Sequence, residues 1–203
     1  MGDNRAVKAS QHSTLVGVAA ALLVLLAACS SGDDAKPGAS ADVPKGFDVP
    51  SGVTIAQGGS TLPLHKAASV VYEVEDGATS AITVSVNNVR KGNIKKDFAF
   101  FSVDEKLKSA TAYYVRLSVR NDGPSGLGGA ALPVLAHTKS NTVFPASEMV
   151  GDFKPCPRAA LPESFLKGRQ VNRCLVFLLP KGEKLQTIDL RTGKEADAIH
   201  WKP

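Results

Sequence analysis

The sequence predicts an all-β domain, an antiparallel sandwich, placed after a secretory leader and a tether. Three observations predict it. Apolar residues alternate with polar ones at period two in several short runs, turn residues separate those runs at intervals near ten, and beyond the leader there is no convincing helical stripe. The 203 residues, 43% of them hydrophobic, are enough for one packed core with appendages.

The N-terminal element is the leader. Arg5 and Lys8 form a short positive region, and Leu15 to Ala28 is a run of 14 uncharged residues rich in Leu, Val and Ala. As a helix it would span about 21 Å, short of a hydrocarbon core of about 30 Å, so the run reads as a cleaved signal over residues 1–28 and not as a permanent span. At its end, Leu26-Ala27-Ala28-Cys29 resembles the lipobox of bacterial lipoproteins residue for residue. The resemblance implies cleavage before Cys29 and a diacylglyceryl group on its thiol, with further acylation of the new N-terminus. Each buried methylene contributes about 0.8 kcal/mol, so two chains anchor where one only visits. The alternative is an ordinary signal peptide cut after Ala28, which leaves Cys29 free.

Residues 29–62 read as the lipidated N-terminus and a flexible linker. Ser30-Ser31-Gly32-Asp33-Asp34, Pro37-Gly38, Pro44-Lys45-Gly46, Pro50-Ser51-Gly52 and Gly58-Gly59-Ser60 leave too little apolar surface to offset the entropy of ordering. A coil of this length reaches on the order of 30 Å, enough to lift a domain clear of lipid headgroups. Phe47, Val49 and Val53 offer an alternative, an extra strand.

The domain proper is read over 63–203. Val70, Tyr72 and Val74 alternate with Val71, Glu73 and Glu75. Ile82, Val84 and Val86 alternate with Thr83, Ser85 and Asn87, and Tyr113, Val115, Leu117 and Val119 with Tyr114, Arg116, Ser118 and Arg120. Asp76-Gly77, Lys91-Gly92-Asn93 and Asn121-Asp122-Gly123-Pro124 supply the turns. Leu132–Thr138, Val171–Leu179 and Leu185–Leu190 complete the predicted strands. The second of these is apolar on both faces, which places it centrally in its sheet. Phe98 to Lys108 fits either a short helix or a strand.

Tyr113 to Gly123, with its tyrosines, alternating valines and closing Asn-Asp-Gly, resembles a strand of a bacterial lipoprotein domain family of unknown function. That family has an immunoglobulin-like, telokin-like fold and is similar to the small immunoprotective extracellular antigens of actinobacteria. The likeness covers about Lys66 to Trp201. It implies an immunoglobulin-like sandwich and carries fold much further than function.

Cys156 and Cys174 remain once Cys29 is lipidated, an even count in an exported chain, and predict a disulfide that staples a loop to the Val171–Leu179 strand. Their separation fits no Cys-x-x-Cys redox motif, and a zinc site would need more Cys or His at ligand spacing. Gly123-Pro124-Ser125-Gly126 lacks the second glycine of a nucleophile elbow, because Leu127 stands there. Gly126 to Ala131 matches a dinucleotide fingerprint, but Pro133 and a strand follow where a helix is required. Asp104 and Glu105 are adjacent, which points their side chains apart in a strand. No cofactor, metal or catalytic residue is therefore assigned.

The chain carries 24 Lys and Arg against 19 Asp and Glu; without Arg5, Lys8 and Asp3 the balance is 22 against 18. That mild excess, with only three lysines between Lys91 and Lys96, argues against nucleic acid. The expected function is a non-catalytic binding or protein-interaction module. It sits on the extracellular face of the cell membrane through its diacylglyceryl anchor and meets an envelope protein or cell-wall polymer. Trp201, Phe144 and Phe153 are candidates for an exposed contact patch. The alternative is a site built from distant loops: an envelope hydrolase, indicated by a pocket that holds a Ser or Asp within hydrogen-bond reach of a histidine, or a small-ligand or metal carrier, indicated by convergence of His65, His137 and His200.

Overall fold

In the computed structural model, which describes residues 43–74, 77–101, 104–151, 153–157 and 159–203, the alternating strands sort into two sheets. One has four strands in the order β2 (Ala67–Glu73), β3 (Thr79–Lys91), β4 (Thr111–Asn121) and β7 (Gln170–Leu179), all antiparallel. The other has five, in the order β1 (Thr61–Pro63), β9 (Ile199–Lys202), β8 (Leu185–Leu190), β5 (Val134–Thr138) and β6 (Val143–Pro145). Only the β1–β9 pair in it is parallel. The chain is a β-sandwich, as the alternation predicts.

Period two explains the core. Ile82, Val84 and Val86 of β3, Val115, Leu117 and Val119 of β4, and Leu175, Phe177 and Leu179 of β7 meet Val134, Ala136, Ile188, Leu190, Ile199 and Trp201 of the facing sheet. Asn121 closes β4 and is fully buried. Its amide donates to the carbonyls of Ser125 and Phe165, and its oxygen accepts from Ser80 Oγ and the Gly123 amide. The glycine of this Asn-Asp-Gly turn is required by close approach, since a Cβ on Gly123 would meet Ser80 Oγ at 2.3 Å and the Ala81 nitrogen at 2.4 Å.

The strand that is apolar on both faces, β7, lies at the edge of its sheet and not at the centre. Its outward residues need cover, but loops supply it. Cys174 and Val176 pack with Ala112 and Tyr114 of β4 beneath Ile94, Phe98, Phe153 and Cys156, and the Ser147 amide donates to the Val176 carbonyl along the open edge. The Cys156–Cys174 disulfide, with Cα atoms 5.2 Å apart, pins this cover to the strand as a loop staple.

Within 98–108 the described residues form no strand, and a short helix is formed at the end of the range, over Glu105–Lys108. Two single helical turns, α1 (Ile94–Asp97) and α2 (Glu105–Lys108), begin at Asn93 and Asp104, whose side chains accept from the amides of Lys96 and Leu107. Asp104 is thus a cap, and Glu105 pairs with Lys108. Asp97 accepts from the Asn93 amide and from the Tyr114 hydroxyl. Burial pushes the Asp97 carboxyl up, but those two hydrogen bonds and the charges of Arg90 and Lys96 outweigh it and hold the group below its ordinary range. Burial, with the Asp97 contact second, pushes the Tyr114 hydroxyl up.

The segment read as linker through residue 62 departs from that reading at its end. Ile55 bridges Ser69 in parallel, the Ala56 amide donates to the Ser69 carbonyl, Gly59 donates to Ala198, and Thr61–Pro63 adds a strand to β9. Sheet hydrogen bonding therefore begins before residue 63. Composition misses this because edge strands offer free backbone groups to any chain beside them, whatever its side chains. The strand considered for Phe47, Val49 and Val53 is not formed; turns at Pro44 and Pro50 occupy that stretch. The signal segment and Cys29 lie outside the described residues. Among the described residues no helix is long and apolar enough to cross a membrane.

Candidate functional site

Strand β8 alternates. Ile188 and Leu190 point into the core, so Thr187 and Asp189 occupy the outer face of the five-stranded sheet. In the register of β8 with β9, His200 stands directly opposite Asp189, and in that with β5, His137 stands opposite Thr187, one diagonal step away. Three strands distant in sequence thus bring two imidazoles and a carboxylate to one spot.

The carboxylate of Asp189 is completely enclosed although it lies on the solvent side of a sheet. Its Oδ1 receives hydrogen bonds from His200 Nδ1 at 2.8 Å and from the Thr187 hydroxyl at 2.7 Å, and its Oδ2 lies 2.9 Å from His137 Nδ1. The two rings, 6.4 Å apart between centroids, form its walls and reach solvent themselves, with side chains 17% and 23% exposed. An enclosed carboxylate without partners costs several kcal/mol, and three convergent donors are what make this one tolerable. They also fix both rings in position.

His137 is held from its other side as well. Its Nε2 lies 2.9 Å from Asn141 Oδ1, and Asn141, with φ near 60°, turns the chain between β5 and β6. Asparagine is among the few side chains that tolerate that backbone region, so the residue that makes the turn also orients the ring.

No protein-family model matches the chain. No curated protein matches it. Among solved structures, the crystal structure of an uncharacterized β-sandwich protein from Clostridium difficile 630 is similar, at 7% sequence identity and a TM-score of 0.43, over 73% of this chain and 97% of that one.

Of the three histidines singled out in the sequence, the fold gathers His137 and His200 and leaves out His65, which occupies the tight turn between β1 and β2 at φ 68°. The third member is Asp189, which sequence reading passed over. One ligand atom from each of the three lies within 4.8 Å of the others. The aromatic patch expected from Trp201, Phe144 and Phe153 does not form: Trp201 and Phe153 are buried and Phe144 is half-buried against the core. The exposed large apolar side chains include Phe100, Val150 and Leu166 instead. A groove beside the disulfide is lined by Met149, Phe153, Cys156, Pro157, Arg173 and Val176.

Proposed function

We propose that the chain is a non-catalytic binding module of the bacterial envelope, tethered to the extracellular face of the membrane through lipidated Cys29, with the outer face around Asp189 as its contact site. It takes its place beside the immunoglobulin-like lipoprotein domains that Tyr113 to Gly123 resembles. The observation that carries the reading is the enclosed carboxylate held between two solvent-reaching imidazoles, a polar site already assembled on an exposed sheet face. Support for the anchor is the Leu26-Ala27-Ala28-Cys29 motif at the end of the Leu15 to Ala28 run. The partner class is an envelope protein or wall polymer.

The two His–Asp contacts favour a second reading, an envelope hydrolase. A general base acts on a nucleophile within hydrogen-bond reach of its outer nitrogen; in His137 that nitrogen is directed at Asn141, and among the described residues no hydroxyl or thiol is hydrogen-bonded to the outer nitrogen of His200. The binding reading is therefore preferred.

Capture from envelope extract tests it. The unmutated chain is expected to retain one saturable partner, and His137→Ala with His200→Ala to lose it; undiminished capture by the double variant would remove the site assignment. Labelled fatty acid is expected to enter the unmutated chain and not Cys29→Ala. Equal labelling of the two would remove the anchor.

A further inference from the structure

We infer that His137, Asp189 and His200 bind one divalent ion of the later first-row transition metals, the class of zinc(II) and copper(II). The inference rests on the reading of this outer face as a binding site and names its ligand.

The donor set selects the class. Two imidazole nitrogens and a carboxylate suit zinc, copper(II), cobalt(II) or nickel(II), whereas calcium and magnesium require shells of oxygen. The three ligand atoms already lie within 4.8 Å of one another, and each carboxylate oxygen faces a different ring, Oδ1 towards His200 and Oδ2 towards His137. Tetrahedral zinc with bonds of about 2.1 Å spaces its ligand atoms by roughly 3.4 Å. To admit it, the hydrogen-bond separations of 2.8 and 2.9 Å open by about half an ångström, and the widest ligand-atom separation, within 4.8 Å, closes towards that spacing.

A second, independent observation lies at His137. Its two ring nitrogens face acceptors, Asp189 Oδ2 and Asn141 Oδ1, while a neutral imidazole carries one N–H. A neutral ring therefore satisfies one of the two neighbours, and either a second proton or a metal ion satisfies the other. A cation at Nδ1 supplies what is missing: the proton resides on Nε2, donated to Asn141, and the Nδ1 lone pair goes to the metal. Asn141 then acts as the outer hydrogen-bond partner that fixes the tautomer of a ligating histidine, and Thr187, bonded to Asp189 Oδ1, does the same for the carboxylate. Because both rings reach solvent, the remaining coordination position stays open to water or to a group from a partner.

The test uses the full chain in detergent, carrying Cys29→Ala so that no unlipidated thiol competes for the metal, and keeping the Cys156–Cys174 bridge intact. Zinc chloride is titrated calorimetrically, and the histidine ring nitrogens are followed by NMR in the same sample. One zinc per chain is expected, with His137 and His200 shifting and His65 unmoved. Magnesium should not compete, and copper(II) should displace zinc. Asp189→Asn is expected to weaken binding about 10–100-fold, and His137→Gln with His200→Gln by at least about 100-fold. The ring shifts in the unmutated protein keep the test decisive even where a variant fails to fold. No zinc uptake at about 1 mM, or uptake that moves His65 and leaves the other two rings still, overturns the inference. Envelope capture that still depends on His137 and His200 alongside still rings would sink the metal and spare the contact face. Zinc bound at those rings with no capture would do the reverse.

Discussion

Trp201→Ala is expected to destabilise the domain by about 3–5 kcal/mol, the largest effect of any single substitution considered. Only Lys202 and Pro203 follow the residue in the sequence, a place where truncations are often tolerated, yet its side chain is fully buried in the main core. Its indole N–H donates to the Lys66 carbonyl at 2.7 Å, tying β9 to the segment entering β2. Alanine leaves a cavity between the sheets and strands that carbonyl. Trp201→Phe separates the two contributions, because it keeps most of the volume and forfeits the hydrogen bond, with a cost nearer 1–2 kcal/mol. Urea unfolding followed by circular dichroism reads both variants; Trp201 is the sole tryptophan, so its fluorescence disappears with it. A loss below about 1 kcal/mol for the alanine variant would mean that β9 is not part of the core. The site should suffer with the strand, since His200 is the neighbour of Trp201 on the opposite face.

Breaking the Cys156–Cys174 bridge, by reduction or by Cys156→Ser with Cys174→Ser, is expected to cost about 3 kcal/mol, because it releases a closed loop with a sequence separation of 18. In a domain of this size that corresponds to a fall in Tm of roughly 6–12 °C. The structure adds where the loss is felt. The bridge holds Phe153 and its loop over the outer side of β7, so hydrogen exchange at the Ser147 amide, which bonds to Val176, should accelerate before the core amides of β4 do. Uniform acceleration across both sheets would instead make the bridge a support of the whole fold. Mass spectrometry without reduction checks the starting state: neither cysteine of the pair should be alkylated.

The strands were legible where one face is wet. β3, β8 and the second half of β4, from Arg116 to Arg120, alternate cleanly because polar residues mark the outward positions, and the observed bounds of the three strands extend or match the expected ones. β7 was legible as a strand but not in its place, since apolar residues on both faces report cover on both sides and do not say whether a strand or a loop provides it. β6 and β9, three and four residues long, are too short to establish a period. That blind spot hid the site. Without β9, His200 reads as an isolated histidine and Trp201 as a surface aromatic, and Asp189 reads as one more polar residue on an outward position. The available signal was an Asp between Ile188 and Leu190, outward on a strand with neighbours on both sides. What turns it into a site is the β5–β8–β9 order, which belongs to tertiary pairing and not to local pattern. The disulfide was legible from parity, on the expectation that the chain is exported and that lipidation takes up Cys29, which leaves two cysteines.

The measurement closest to the central claim is the ring-nitrogen NMR spectrum of the metal-free chain, recorded beside Asp189→Asn. If Asp189 organises the outer face, the Nδ1 positions of His137 and His200 both carry protons that exchange slowly with water, and Asp189→Asn speeds that exchange at both rings while His65 is unchanged. Nδ1 protons that exchange as fast as those of His65, or that do not respond to Asp189→Asn, would contradict the account and leave the outer face without an assembled site.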